Sequence, residues 1–298
     1  MADSTSRTKL TLESDTLVLT LLPDLGGSVG NLTYRGIDVL RPFDEAGVES
    51  PLHTGGFPLF PFSGRISNAR FDWNGRTVSL TPNFLPEPHA IHGQSWLDRW
   101  QVVDSGPETA CLEFKYAPSD WPWAYRAEQA FRVTANRLDL IMTLTNTGNE
   151  DMPAGLGWHP YFPRGDARFS VPVDRMWTAD SGMIPDRLSC PPPSADLTGW
   201  QSVNETDLDN AFTVSSCVSR IEWPAQKIAV DLESDSLLGH VVVYTPPGED
   251  FFCVEPVSHA PDAVNSRHSR ELTGLHTLAP GESLSAKITL TVRELFGR

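Results

Sequence analysis

Along the chain, apolar and polar positions alternate in short runs far more often than they recur every three or four residues. Thr16-Leu17-Val18-Leu19-Thr20-Leu21 is rich in strand formers, and residues 112–116 alternate apolar with charged side chains. Phe131 and Val133 flank Arg132, and a further strand is predicted over 138–145 after the turn Ala135-Asn136-Arg137. Phe71-Asp72-Trp73 and Arg76-Thr77-Val78 flank Asn74-Gly75, a pair suited to the tight reversal of a β-hairpin. Later strands are predicted over 228–232, 241–244, 251–254 and 288–292. In the last, Ile288, Leu290 and Val292 share one face and Thr289 and Thr291 the other. Helical periodicity is weak throughout.

The 25 prolines and 22 glycines fall largely between these runs, as turn punctuation. Many short strands with such turns predict an antiparallel sandwich or barrel rather than βαβ units. No internal repeat is visible. The Pro-rich patch Ser189-Cys190-Pro191-Pro192-Pro193-Ser194 is too short for an interdomain linker and reads as a surface loop, so residues 1–298 are expected to form a single domain.

Composition narrows the function classes. The chain has 298 residues, with 23 Lys and Arg against 38 Asp and Glu, a formal charge of −15. That balance argues against a nucleic-acid partner, which needs a basic footprint, and against an anionic membrane surface. Met1 to Thr8 is mostly polar, without the apolar stretch of a secretory leader, and no run is long and apolar enough to span a bilayer. The four cysteines, Cys111, Cys190, Cys217 and Cys253, lie far apart with no CxxC pair. They are expected to be reduced and mostly buried, in a cytoplasmic protein.

Common catalytic motifs (GxGxxG, the P-loop, GxSxG, HExxH) are absent. His89 and His92 form an HxxH pair with Glu87 as the sole neighbouring acid and no cysteine to complete a ligand set, so a metal role for that pair is not favoured. Four segments do not read as scaffold. In Phe57-Pro58-Leu59-Phe60-Pro61-Phe62-Ser63-Gly64-Arg65-Ile66-Ser67-Asn68 an apolar stretch ends on Arg65, whose forked donors suit paired hydroxyls or a carboxylate, although, taken alone, an ordinary salt bridge at a loop end is the plainer reading. In Pro88-His89-Ala90-Ile91-His92-Gly93-Gln94-Ser95-Trp96, His92 stands before a glycine, with Trp96 near enough to serve as an aromatic platform for a sugar; a histidine capping a loop explains the segment equally well. In Gly157-Trp158-His159-Pro160-Tyr161-Phe162, Pro160 holds His159 extended among aromatics, a setting that favours proton transfer over a passive core histidine. In Phe251-Phe252-Cys253-Val254-Glu255-Pro256, period two puts Phe251, Cys253 and Glu255 on one face, and Pro256 is expected to stop the strand there. Desolvation would raise the Glu255 pKa and suit it to a general base, against the alternative of a glutamate at the solvated sheet rim. The fifth and weakest segment, Thr206 to Phe212, offers Asp207 or Asp209 as a hydroxyl acceptor.

Taken in order, Gly64-Arg65-Ile66, His92-Gly93, His159-Pro160-Tyr161-Phe162, Asp209-Asn210-Ala211-Phe212 and Glu255-Pro256 resemble the motifs of the aldose 1-epimerase (galactose mutarotase) family over nearly the whole chain. The resemblance implies an all-β, antiparallel β-supersandwich of the galactose mutarotase-like type, with an open sugar-binding cleft. It implies an isomerase that interconverts the α and β anomers of an aldose, acting on a small-molecule sugar without a cofactor, as a monomer or homodimer. By carry-over, Glu255 would be general base and His159 general acid; a carboxylate and an imidazolium placed on opposite sides of the C1 hydroxyl and ring oxygen would make both proton transfers together. Arg65, His92 and Asp209 would hold the hydroxyls. Gly64 replaces the family's usual Asn, which puts one sugar hydrogen bond in question. Rival readings are a hexose-6-phosphate mutarotase using Arg65, Arg70 and Arg164 as an anion pocket, a non-catalytic sugar-binding protein on the same fold, and a glycosidase built on two carboxylates.

Overall fold

The computed structural model describes residues 7–45, 47–179 and 182–295. Residues 1–6, most of the polar opening segment, lie outside that set. Among the described residues two antiparallel sheets dominate, one of eleven strands and one of nine. The predicted alternation is realised: the sequence that repeats every two residues forms strands, and the one α-helix among the described residues is the single turn Arg270–Thr273, capped by Ser269 and by Gly274 at φ 73°. Asn74 and Gly75, at φ 48° and 79°, close the Arg70–Trp73/Arg76–Ser79 hairpin in the left-handed conformation such a turn requires. Ala135 and Asn136 likewise join Tyr125–Thr134 to Arg137–Asn146. The Pro-rich patch does run over the surface, with Cys190, Pro192, Pro193 and Ser194 exposed.

The two sheets pack face to face. Leu17, Leu19 and Leu21 of the larger sheet share one buried cluster with Leu138, Leu140, Ile288, Leu290 and Val292 of the smaller. The larger sheet is covered on its other face as well. Its middle runs in the order Gly56–Leu59, Gly157–Pro163, Phe251–Val257, His240–Tyr244, Asp209–Val214. Within Phe251–Val257, Phe252 and Val254 join the intersheet core, while Cys253 and Val257 join a separate small cluster with Phe57, Leu59, Trp96 and Tyr161. Trp158 and Phe162 face the core from the neighbouring strand, and Tyr161 faces away from it. A strand repeats every two residues, so each of these two neighbouring strands contributes one row to the core and one to the outer face.

Two expectations are corrected. Pro256 does not end its strand, which continues to Val257 with Pro256 opposite Val241. Toward Gly157–Pro163 the pairing is present at Gly157 and Val257, resumes at Tyr161 and Cys253, and is open between. A residue without an N–H therefore breaks no ladder bond on that side. The cysteines are not mostly buried either: Cys253 is buried, Cys111 and Cys217 are half-buried, and Cys190 is exposed. Strand alternation accounts for this, because Cys111 faces outward between the buried Ala110 and Leu112. No described helix is long and apolar enough to cross a membrane.

Candidate active site

The opening in the ladder at 158–160 and 254–256 lies at the floor of a cleft of about 380 Å³ on the outer face of the larger sheet. Arg65, His92, His159, Asp209 and Glu255 all line it. Each arrives from a different local structure. His159 is held extended opposite Phe57, as Pro160 dictates, with Phe57 and Tyr161 stacked at ring centroid distances of 4.7 Å each. Glu255 projects from the adjacent strand, and its Oε1 lies 3.4 Å from His159 Nε2. The two groups stand side by side on the floor. They do not face each other across the cleft, because they come from neighbouring strands of one sheet.

Electrostatics oppose charge on both. Burial, with a smaller contribution from the Arg41 cation, lowers the His159 pKa to about 3, so in the ligand-free cleft the imidazole is neutral rather than the expected imidazolium. Burial, reinforced by Asp209 and opposed by Arg65, pushes Glu255 well above the usual carboxylate range. A neutral imidazole beside a protonated acid carries one transferable proton, the same number as an imidazolium beside a carboxylate.

His92 sits at φ 59° before Gly93 at φ 72°, so the chain does turn sharply here. A Cβ on Gly93 would lie 1.9 Å from the Phe60 carbonyl oxygen, which excludes any larger residue. The Gly64 N–H donates to His92 Nδ1 at 3.1 Å. Burial, with His159 and Arg65 nearby, keeps His92 neutral, so its proton resides on Nε2, which becomes a fixed donor. Its companion His89 accepts at Nδ1 from the Asn68 N–H at 3.0 Å. The HxxH pair thus caps two backbone segments.

Arg65 is held by Glu87 through two hydrogen bonds, Nε at 2.8 Å and Nη2 at 3.0 Å. The salt-bridge alternative for Arg65 and its place in the cleft are both realised. Asp209 begins its strand opposite Tyr244 and is raised in pKa by burial against the pull of Arg65, whereas Asp207 is exposed. The three proposed anion-pocket arginines do not converge. Arg164 donates to the Val203 and Pro246 carbonyls at 3.1 and 2.6 Å, and Arg70 is exposed outside the cleft. Gly64, at φ 70°, could not be replaced by Asn without movement, since a Cβ there would lie 2.7 Å from Pro261 Cβ.

The family model for aldose 1-epimerase matches residues 8–291. The chain belongs to the aldose 1-epimerase family. The uncharacterised protein YphB of Escherichia coli K12 is 33% identical over 284 residues, covering 91% of this chain and 94% of that one. A solved structure from Escherichia coli K12 shares 32% identity at a TM-score of 0.88, covering 97% of this chain and 99% of that one. A galactose mutarotase-like protein from Clostridium acetobutylicum superposes at a TM-score of 0.88 with 20% identity, covering 97% and 96%, a likeness of fold.

Other residues of this epimerase-family cleft escaped the sequence reading. Glu87 stood only as a neighbour of the HxxH pair. Tyr161 follows His159 by two residues and shares its face, a signal that period two could have supplied. Outside the cleft lining, Arg41 donates to the Leu52 and Thr54 carbonyls and lies 4.0 Å from the Tyr161 ring centroid and 4.6 Å from that of Phe251. Trp177 and Tyr244 line the cleft from strands whose sequence carries no chemical signature.

Proposed function

We propose that the protein interconverts the α and β anomers of a free, uncharged aldose by opening and reclosing its hemiacetal ring. One observation carries this reading: a carboxyl and an imidazole, 3.4 Å apart, lie on the floor of a cleft whose walls bear hydrogen-bonding groups and aromatic rings. Ring opening removes the proton of the C1 hydroxyl and delivers one to the ring oxygen. Both oxygens are bonded to C1, so two neighbouring groups can serve them together. Glu255 takes the hydroxyl proton as base and His159 donates to the ring oxygen as acid. Reclosure on the other face of C1 reverses both transfers.

The burial that keeps the ligand-free pair uncharged is compatible with these roles. The pair holds one proton, and shifting it from Glu255 to His159 changes no net charge in the cleft. Arg65, and the sugar hydroxyls entering the site, favour the form with a carboxylate. A positioned proton transfer typically contributes about 10²–10⁴-fold in rate. His92 donates from Nε2 to a hydroxyl, while Asp209 and Glu87 accept.

The substrate is uncharged on the same grounds. Arg65 is the cation among the lining residues, it is already paired with Glu87, and Asp209 and Glu255 share the space. A phosphate there would meet three carboxyl groups with no unpaired arginine. An anomer-exchange assay over free and 6-phosphorylated aldoses tests the proposal. Acceleration with a free aldose and little with the phosphates is expected. No acceleration with any free aldose overturns the reading, and sugar binding without exchange would leave a binding protein in its place.

A further inference from the structure

Cys253 plays no part in that chemistry, yet its sulfur lies beside it. Its strand places it two residues before Glu255 on the same face, in register with Tyr161 of the strand that carries His159. One ligand atom each from His159, Cys253 and Glu255 fall within 4.8 Å of one another, the one such buried group of three among the described residues. We propose that these three side chains form a binding site for a thiophilic divalent cation of the zinc class, and that an ion there occupies the proton-transfer pair.

The donor types fit. Thiolate, imidazole and carboxylate are the ligands zinc takes, and three protein ligands leave a fourth position for water or a substrate oxygen. The geometry is near what the ion needs. Two ligands about 2.0–2.1 Å from a tetrahedral ion lie about 3.4 Å apart, and His159 Nε2 and Glu255 Oε1 are separated by 3.4 Å. The sulfur lies within 4.8 Å of both atoms, so a shift of at most about 1.3 Å would bring it to the tetrahedral separation of about 3.5 Å. His159 and Glu255 open onto the cleft, which gives the ion its entry, while Cys253 closes the floor behind them. Binding forms a metal–sulfur bond and releases the thiol proton, and any proton on Glu255, to solvent. The two positive charges then meet one thiolate and one carboxylate, so the filled site is electrically neutral despite its burial, and the neutral imidazole needs no change of charge. A magnesium or calcium ion, which prefers oxygen ligands, would not be held.

Cadmium titration of the full-length protein in a Cys190→Ser background, which removes the exposed thiol, tests the site through the thiolate-to-cadmium absorption band. One equivalent should generate the band, zinc should compete it away, and magnesium should not. Cys253→Ser should abolish it. His159→Asn and Glu255→Gln, which keep the thiol, should each weaken cadmium binding by more than about 10-fold. Absence of the band, its survival in Cys253→Ser, or its indifference to both of the other substitutions overturns the proposal. Should Cys253→Ser not fold, His159→Asn and Glu255→Gln decide the matter alone. This readout needs no catalysis. Inhibition by zinc rests on the mutarotase reading, so a cadmium band without loss of anomer exchange would preserve the site and count against Glu255 and His159 as the catalytic pair.

Discussion

The two faces of the strand Phe251–Val257 obey different rules although they alternate residue by residue. Phe252 and Val254 enter an apolar core between two sheets, where shape and volume decide what is tolerated. Cys253 and Glu255 enter a floor where a thiol, a carboxyl and an imidazole lie within a few ångströms, where charge and proton count decide. The lesson is that this sheet gains rigidity from one row of side chains and uses it to hold the other. The neighbouring strand repeats the arrangement, with Trp158 and Phe162 in the core and His159 and Tyr161 at the floor.

Substitutions on the two faces should therefore separate stability from activity. The largest expected effect is on the floor. Glu255→Gln should reduce anomer exchange by about 10²–10⁴-fold while sugar affinity, measured by titration calorimetry, changes little. His159→Asn should lower kcat more than it alters KM. On the core face, Phe252→Ala should cost about 3–5 kcal/mol of unfolding free energy, read by urea denaturation, with the folded fraction still active. A Phe252→Ala protein that is stable but inactive would erase the distinction between the faces.

Acid provides a subtler probe. His92, His159, His240 and His259 are all buried and depressed in pKa, His159 to about 3 and His240 and His259 to about 4. Between about pH 6.5 and 4.5 the unfolded chain binds protons at these four positions that the folded chain does not, so stability should fall as pH falls through that window. Glu255 and Asp209, raised in the folded state, act with opposite sign but are fewer. Melting temperatures that hold level from pH 7 to 4.5 would contradict the buried-neutral assignment. The smallest effect is expected at Glu87→Gln. It leaves Arg65 in place with weaker anchoring, so KM should rise severalfold while kcat holds; equal loss of both would make Glu87 part of the chemistry.

The sequence reveals much of this because strand faces repeat simply. His159 before Pro160 and Glu255 two residues beyond Cys253 could be placed on extended chain from local rules alone. What the residues did not disclose lies in pairings between distant strands. Nothing local to Arg65 says that Glu87 occupies its fork, and nothing local to Pro256 says that the ladder beside it is open. The side-by-side placement of Glu255 and His159 follows from strand adjacency, which no one-dimensional pattern records. The exposure of Cys190 and the half-burial of Cys111 and Cys217 also depend on which face each strand turns outward.

The central claim is that Glu255 and His159 work as one unit on a single sugar carbon. The most direct test compares Glu255→Gln, His159→Asn and the double variant in anomer exchange of one free aldose, followed by magnetisation-transfer NMR. A unit predicts that the double variant is hardly slower than the worse of the two single variants. Losses that multiply, so that the double variant shows the product of the two single effects, would contradict it.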